Sequence, residues 1–553
     1  MQMKLTILLL FLLSFPLFAQ NSATITYNFY SNGAPAGTPP LILEASADLS
    51  VYTNAAGETF YLDYTSSKTY QTTTLKNGEV ITDEESFSTY NVPELHNDTM
   101  TILGYLCKKA SVVIRSNHID IWYTTQTDFK GTPSISIGPA LGLVLKVIRN
   151  GNFEIRAENI ELSTKMITLP YSLGNIIELP YYRYLVTAQN YTTVNIFQNE
   201  KINYGDKPVN LLTNSPDITY RFSEGTVILR KVKLPENMGA HSVIAELTER
   251  SAGDAYDRTG SLFIIPDITK DTSLTFIDAF INGIKALPLY EAKNNKDYRG
   301  FTLTDKYTPP IELMRFITPF GIGHYNSQVQ VYGVTWEDSL TYKQDITNLL
   351  PAIEGEVWFG VFIGCYDKGG HEVSLRLKYY PDDIPQEVQS VPKAFIQPLM
   401  FTTNIMEASS QEYSTIFETD TLTVDVDIPE GIKELTLRYI STGHGGWGGG
   451  DEFNKKMNYI FADGKLVYSF IPWRDDCGMY RKYNPASGNF PNGMSSSDFS
   501  RSGWCPGSTS VPVDIPLSLM PGRHTVSVYI PLGKPEGTSF SAWNVSAVLI
   551  GKY

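Results

Sequence analysis

Apolar and polar residues alternate with a period of two along much of this chain. Val373, Leu375, Leu377 and Tyr379 are interleaved with Ser374, Arg376 and Lys378. Leu435, Leu437 and Tyr439 flank Thr436 and Arg438, and Val526, Val528 and Ile530 repeat the pattern near the C-terminus. A strand turns successive side chains to opposite faces, so each segment predicts a strand with one buried face. No long segment has the 3.6-residue period of an amphipathic helix. Short strands broken by Gly, Pro and Asn predict antiparallel sandwiches. The expected fold is all-β, built of antiparallel sandwiches.

Four segments are expected. Residues 1–20 read as an export signal: Lys4 opens it, Ile7 to Leu13 is unbroken apolar sequence, and Phe18-Ala19-Gln20 marks the cut. Residues 21–190, 191–395 and 396–553 then form three structural units. The stretch from Asp267 to Pro310 is weakly patterned and reads as an insertion between strands. No other apolar run is long enough to span a bilayer. The expected location is secreted or periplasmic, and the expected state a monomer.

Composition narrows the partners. Among 553 residues, 18% are charged and 12% aromatic, with 34 tyrosines, which excludes a disordered chain. A net charge of −14 argues against nucleic acid, whose phosphates require a basic face. Of the four cysteines, Cys477 and Cys505 share one loop-rich segment and form the natural disulfide, whereas Cys107 and Cys365 read as buried free thiols. No Cys or His pair has metal-ligand spacing, so no metal and no cofactor is expected.

Three segments could carry chemistry. In the first, a strand ending at Ile440 leads into GHGGWGGG, from Gly443 through His444 and Trp447, and then Asp451-Glu452. Glycines let backbone approach a ligand closely, and Glu452 at the lip of such a loop could act as acid, base or acceptor. It could equally be a solvated turn paired with Lys455. The pentamer GGDEF within this loop matches a nucleotide-cyclase signature, but lacks the helix–strand context that signature needs. The second segment is Arg501-Ser502-Gly503-Trp504-Cys505, behind a long Asn/Gly/Ser/Pro loop from Asp475. There Arg501 could be a fork for oxygens and Trp504 a platform for a sugar face, or a structural tryptophan beside the disulfide. The third is Asp254-Ala255-Tyr256-Asp257-Arg258 at a strand mouth, which alone reads as a turn with a surface ion pair.

Residues 103–151 resemble the GLPGLI family of small exported β proteins, through Cys107-Lys108-Lys109-Ala110, Trp122-Tyr123-Thr124 and Gly138-Pro139 followed by Gly142-Leu143, with the hexamer itself degraded to ALGLVL. That family supplies no chemistry. The three candidate segments together resemble the peptide:N-glycosidase F family: RYISTGHGGWGGGDEF, SRSGWCPG and SFSAWNVSAVLI closely, and AYDRTGSLFII and RFITPFG more distantly. The resemblance covers about residues 215–550. It implies two side-by-side jelly rolls with the site in the cleft between them. It also implies hydrolysis of the amide joining asparagine to the first N-acetylglucosamine of an N-glycan, with N-glycosylated proteins or glycopeptides as partners.

By motif, the resemblance makes Asp257 and Glu452 catalytic. Arg258, Arg501, Trp504, His444 and Tyr256 become substrate-binding, and Cys477–Cys505 a family disulfide. The sequence departs from the family where a third carboxylate is expected: the positions near Gly364 and Cys365 hold no acid, and Asp367 lies two or three places away. A non-catalytic, lectin-like N-glycan binder is therefore the alternative. A glycosidase using Asp257 and Glu452 is a further rival, as is a purely structural surface protein.

Overall fold

The computed structural model describes residues 22–206, 215, 218–235, 241–266, 273–381, 394–445, 449–534 and 539–553. The expected signal, Trp447 and the start of the expected insertion lie outside them. The chain divides into two compact units at Asn190/Tyr191. Both are built of strands, as the alternation predicts. Among the described residues no helix is long and apolar enough to cross a membrane.

The first unit is one 13-stranded sheet, antiparallel except for the pairing of Asn175–Ile176 with Val80–Ser86. Its core includes Ile25, Tyr27, Leu43, Leu62 and Leu145, and Cys107 is a buried free thiol within it. The helix Leu179–Ala188, absent from the sequence reading, buries Tyr182 against Leu75 and Ile81. Its apolar stripe is too short to stand out by periodicity.

The second unit contains two sandwiches. In the first, a four-stranded sheet (Thr192–Ile202, His371–Pro381, His241–Ser251, Leu340–Asp345) faces a six-stranded one. Val373, Leu375, Leu377 and Tyr379 point into the shared core, as their alternation predicts. The central strands of the six-stranded sheet, Thr259–Ile265, Ile311–Ile317 and Glu356–Ile363, are buried on both faces. That is why Leu262–Ile265 and Val357–Ile363 show no alternation. On Thr259–Ile265 and Glu356–Ile363 the face bearing Phe263, Ile265, Trp358 and Phe362 packs against the helix Phe276–Asn282, whose N-terminus is closed by a capping box between Thr275 and Asp278. The part of the expected insertion that is described is therefore core-forming.

The second sandwich pairs a sheet of Ala394–Phe401, Ala542–Lys552, Lys433–His444 and Val513–Pro516 with one of Leu422–Ile428, Gly522–Tyr529, Asn458–Ala462 and Lys465–Phe470. Two features join the sandwiches. The short strand Ser508–Ser510 belongs by sequence to the second but completes the six-stranded sheet of the first, pairing with Arg315–Ile317. Arg315 itself is fully buried. It donates to Glu312 in its own strand (2.6 and 3.2 Å) and across the junction to Thr403 Oγ1 (2.8 Å), Thr442 Oγ1 (3.2 Å) and the Asn544 carbonyl.

Candidate active site

The loop between His241–Ser251 and Thr259–Ile265 is tied down on all sides. The Ser251 hydroxyl donates to the Asp254 carbonyl (2.6 Å), and the Tyr325 hydroxyl to the Gly253 carbonyl (2.6 Å). The Arg258 N–H donates to Thr318 Oγ1 (2.8 Å). Gly253 has φ of 145°, and a Cβ there would lie 2.8 Å from the Gly369 Cα, so this close approach of two loops requires glycine. The loop thereby presents Tyr256, Asp257 and Arg258 at the end of the first sandwich. Tyr256 is 62% exposed, with the Arg258 guanidinium 5.2 Å from its ring centre.

The second sandwich supplies Glu452. Its neighbour Asp451 is buried, accepting from the Gly533 N–H (3.0 Å) and the Trp543 indole (2.8 Å). The GGDEF pentamer thus anchors a loop, with Asp451 turned inward and Glu452 left at the lip. Glu452 pairs with Arg501 (Nε to Oε1, 3.0 Å), not with Lys455 as the solvated-turn reading had it. The disulfide between Cys477 and Cys505 forms, and the Arg474 and Arg501 backbones bridge beside it. Gly503, at φ 83°, brings the Arg501–Cys505 segment against the Ser441 carbonyl, where a Cβ would lie 2.4 Å away.

Arg501 reaches both carboxylates: Nη2 is 3.9 Å from Asp257 Oδ2. It is only 1% exposed, and it also donates to the Phe499 carbonyl (2.9 Å) and Ser496 Oγ (3.1 Å). Its guanidinium lies between the Phe453 and Trp504 rings, at 5.1 and 4.8 Å. Both residues of this segment that the sequence singled out are buried. Trp504 is 4% exposed, its indole donating to the Gly443 carbonyl (2.9 Å) and its ring packing on the Arg501 guanidinium. Arg501 commits three of its five N–H donors to protein groups, and it lines the same cleft as Asp257 and Glu452.

His444 stacks on the far side of Trp504, 5.5 Å away. Burial, with the Arg315 charge nearby, pushes it down to about 3, so it is neutral. Thr442 Oγ1 accepts from Arg315 (3.2 Å) and lies within hydrogen-bond reach of His444 Nε2 (2.8 Å).

A cleft of about 560 Å³ is lined by Tyr256, Asp257 and Phe320 from the first sandwich and by Glu452, Phe490 and Arg501 from the second. A smaller pocket of about 180 Å³ opens on the other side of Asp257, lined by Arg258, Gly364, Tyr366, Glu407 and His444 among others. Asp257 therefore stands where two cavities meet.

The smaller pocket contains a residue that sequence reading missed. Glu407, at the start of the 3-10 turn Glu407–Ser409, accepts from the Tyr413 hydroxyl and from Asn404 Nδ2 (3.0 Å). It faces the space left by Gly364, where the expected third acid is lacking. Asp367 does not fill that role: it is exposed and accepts from the Gly369 N–H (2.6 Å) in a turn. No local motif marks Glu407, because its position depends on one sandwich folding against the other.

Electrostatics distinguish these acids from surface ones. Burial raises Asp257 above the usual carboxylate range, while the Arg501 and Arg258 charges oppose the rise. Burial also raises Glu452, Arg501 lowers it, and the Asp257 charge raises it again. The two therefore titrate as a pair around one arginine. Burial pushes Glu407 up to about 7, with Arg258 partly opposing it.

Comparison with known proteins places the chain in a family. Residues 193–379 match the family described as Peptide-N-glycosidase F, N terminal, and residues 412–550 match Peptide-N-glycosidase F, C terminal. The solved structure of PNGF-II in space group C2 is 40% identical, with a TM-score of 0.85 over 96% of this chain and 98% of that one. The chain belongs to the peptide-N-glycosidase F family. A second PNGF-II structure, in space group P21, agrees at 41% identity and a TM-score of 0.88, over 96% of this chain and 100% of that one. PNGase F of Flavobacterium meningosepticum, described as a glycosylasparaginase, is 14% identical over 66% of this chain and 96% of its own, with a TM-score of 0.43. No curated protein matches. The N-terminal unit, likened above to GLPGLI proteins, matches the N-glycanase peptide N-terminal domain over residues 49–183. This peptide-N-glycosidase F relative thus has a glycosidase-like unit and an N-terminal unit that both match N-glycanase families.

Proposed function

We propose that this protein hydrolyses the amide between asparagine Cγ and the first N-acetylglucosamine of N-linked glycans. The observation that carries the reading is the meeting of Asp257 and Glu452, from separate sandwiches, around one buried arginine at the junction of two cavities. Sites between domains are a usual place for such chemistry.

Asp257 takes a proton from water, and the water oxygen bonds to Cγ. The amide π electrons move to the carbonyl oxygen, opposite Arg258. Two Arg258 nitrogens are committed to Asp254, Nε at 2.7 Å and Nη2 at 3.1 Å, and Nη1 has no partner among the described residues. Glu407, pushed up to about 7 by burial so that its protonated form is present at neutral pH, donates to the same oxygen. Collapse of the tetrahedral species breaks the C–N bond, and the nitrogen takes its proton from the carboxyl of Glu452. The products are aspartate in the peptide and a glycosylamine, which then loses ammonia. Tyr256, the exposed ring at the cleft, serves as the sugar platform in place of Trp504.

The test is mass spectrometry of a defined N-glycopeptide incubated with the protein in heavy-oxygen water. Loss of the whole glycan with one heavy oxygen in the new aspartate supports the amidase. A peptide that keeps one N-acetylglucosamine means a glycosidase, and retention without release means a lectin-like binder.

A further inference from the structure

Two charged residues stand where the strand pattern calls for apolar ones. Along His241–Ser251 the core-facing positions are Val243, Ala245 and Leu247, and the next in register is Glu249. Along His371–Pro381 they are Val373, Leu375, Leu377 and Tyr379, and the one before is His371. Both side chains are fully buried. His371 Nδ1 lies 2.8 Å from Glu249 Oε1, and its Nε2 lies 3.6 Å from Asp254 Oδ2, an ion-pair contact too long for a hydrogen bond. Asp254 in turn holds Arg258 through both oxygens. The row therefore alternates in sign: Glu249, His371, Asp254, Arg258, then Asp257, Arg501 and Glu452. It starts where the apolar core ends and runs to the catalytic loop.

Removing this many charges from water costs several kcal/mol for each ion, and well-packed apolar side chains would stabilise the same place as well or better. The row's geometry gives it a different use. A bidentate carboxylate fixes the plane of a guanidinium, and a cation behind that carboxylate keeps it ionised and in place. We propose that the buried row Glu249–His371–Asp254 is a positioning device for Arg258, holding its free nitrogen toward the pocket it shares with Asp257 and Glu407.

The groups facing His371 agree with this. Burial alone would lower its imidazole, but Asp254 and Glu249 outweigh burial and raise it to about 9, so it is a cation at neutral pH. Burial would raise Asp254, but His371 and Arg258 outweigh it and hold Asp254 well below the usual range. Glu249, with one oxygen unpartnered among the described residues, is raised by its burial. The nearby Cys365 thiol is pushed up to about 12 by burial and Tyr342 is also raised, so both are neutral.

The activity readout rests on the amidase reading, and the structural readout does not. In protein labelled with 15N-arginine, the Arg258 Nε–H signal is assigned by its loss in Arg258→Lys. We expect a protected signal in the wild type and a shifted, exchange-broadened one in His371→Gln and Asp254→Asn. With an N-glycopeptide, His371→Gln should lower kcat by about 10²-fold, the cost of a small misplacement, with KM within about 3-fold. Asp254→Asn should add nothing to Arg258→Lys. Glu249→Gln, a milder change should His371→Gln fail to fold, should move the alkaline limit of activity to lower pH. An unchanged Arg258 signal with unchanged kcat in His371→Gln, or losses that add in the double variant, overturns the proposal. A wild type that cuts no glycopeptide overturns the amidase reading alone, and the Arg258 signal still decides the row.

Discussion

Replacing Arg315 by methionine tests how the two sandwiches are held together. The side chain is wholly buried, and its nitrogens serve Glu312 in one sandwich and Thr403, Thr442 and Asn544 in the other. Methionine fills the volume but leaves Glu312 buried and charged, with Ser261 Oγ (2.6 Å) as its remaining partner. Breaking one side of such a pair costs about 3–5 kcal/mol, against a total stability on the order of 5–15 kcal/mol. Urea unfolding followed by tryptophan fluorescence should show that loss as a lower midpoint. Glu312→Leu combined with Arg315→Met removes the orphaned charge and should recover most of the loss. The single variant should also lose turnover below its unfolding midpoint, because the seat between sandwiches sets the distance from Asp257 to Glu452. A cost under about 1 kcal/mol, or a double variant no better than the single, would refute the reasoning.

Other outcomes follow from the site. Asp257→Asn should lower kcat by about 10²- to 10⁴-fold while leaving Tm unchanged or raised, since the native carboxylate is disfavoured by burial; activity and thermal melts of one preparation check both. Glu407→Gln keeps a donor and should stay within about 5-fold of wild type, whereas Glu407→Ala should lose about 10²-fold in kcat. His371 has its folded value raised to about 9, above an unfolded value near 6.5, so its contribution to stability is fully present below about pH 6.5 and lost as pH rises through 9. Tm should therefore decline across that window in the wild type and less so in His371→Gln. Reducing the Cys477–Cys505 bond, which spans 28 residues, should cost about 3–4 kcal/mol by loop entropy and lower activity in step, because the bond holds the segment bearing Arg501; a reductant titration read by melting and turnover tests this.

Much of this was legible in the chain. Period-two alternation located the half-buried strands around residues 375, 437 and 528, and the Gly-rich and Cys-bearing loops marked where chemistry could gather. What was not legible depended on long-range packing. The strands Thr259–Ile265 and Glu356–Ile363 show no alternation because a helix from the supposed insertion covers their outer face. The burial of Trp504 and Arg501 could not be read from residue type, and only the fold sets it. Glu407 lies 150 residues from Asp257 and enters the site through the contact between sandwiches.

The three-residue strand Ser508–Ser510 also governs the order in which the molecule can be completed. It closes the edge of a sheet whose neighbouring strand lies nearly two hundred residues earlier. Contacts of such separation form late, since a long loop must close before they stabilise anything. The first sandwich keeps an open edge until the last tenth of the chain has emerged. A chain cut short before that strand still carries Asp257, Glu452 and Arg501, but it lacks the segment that ties the second sandwich to the edge of the first.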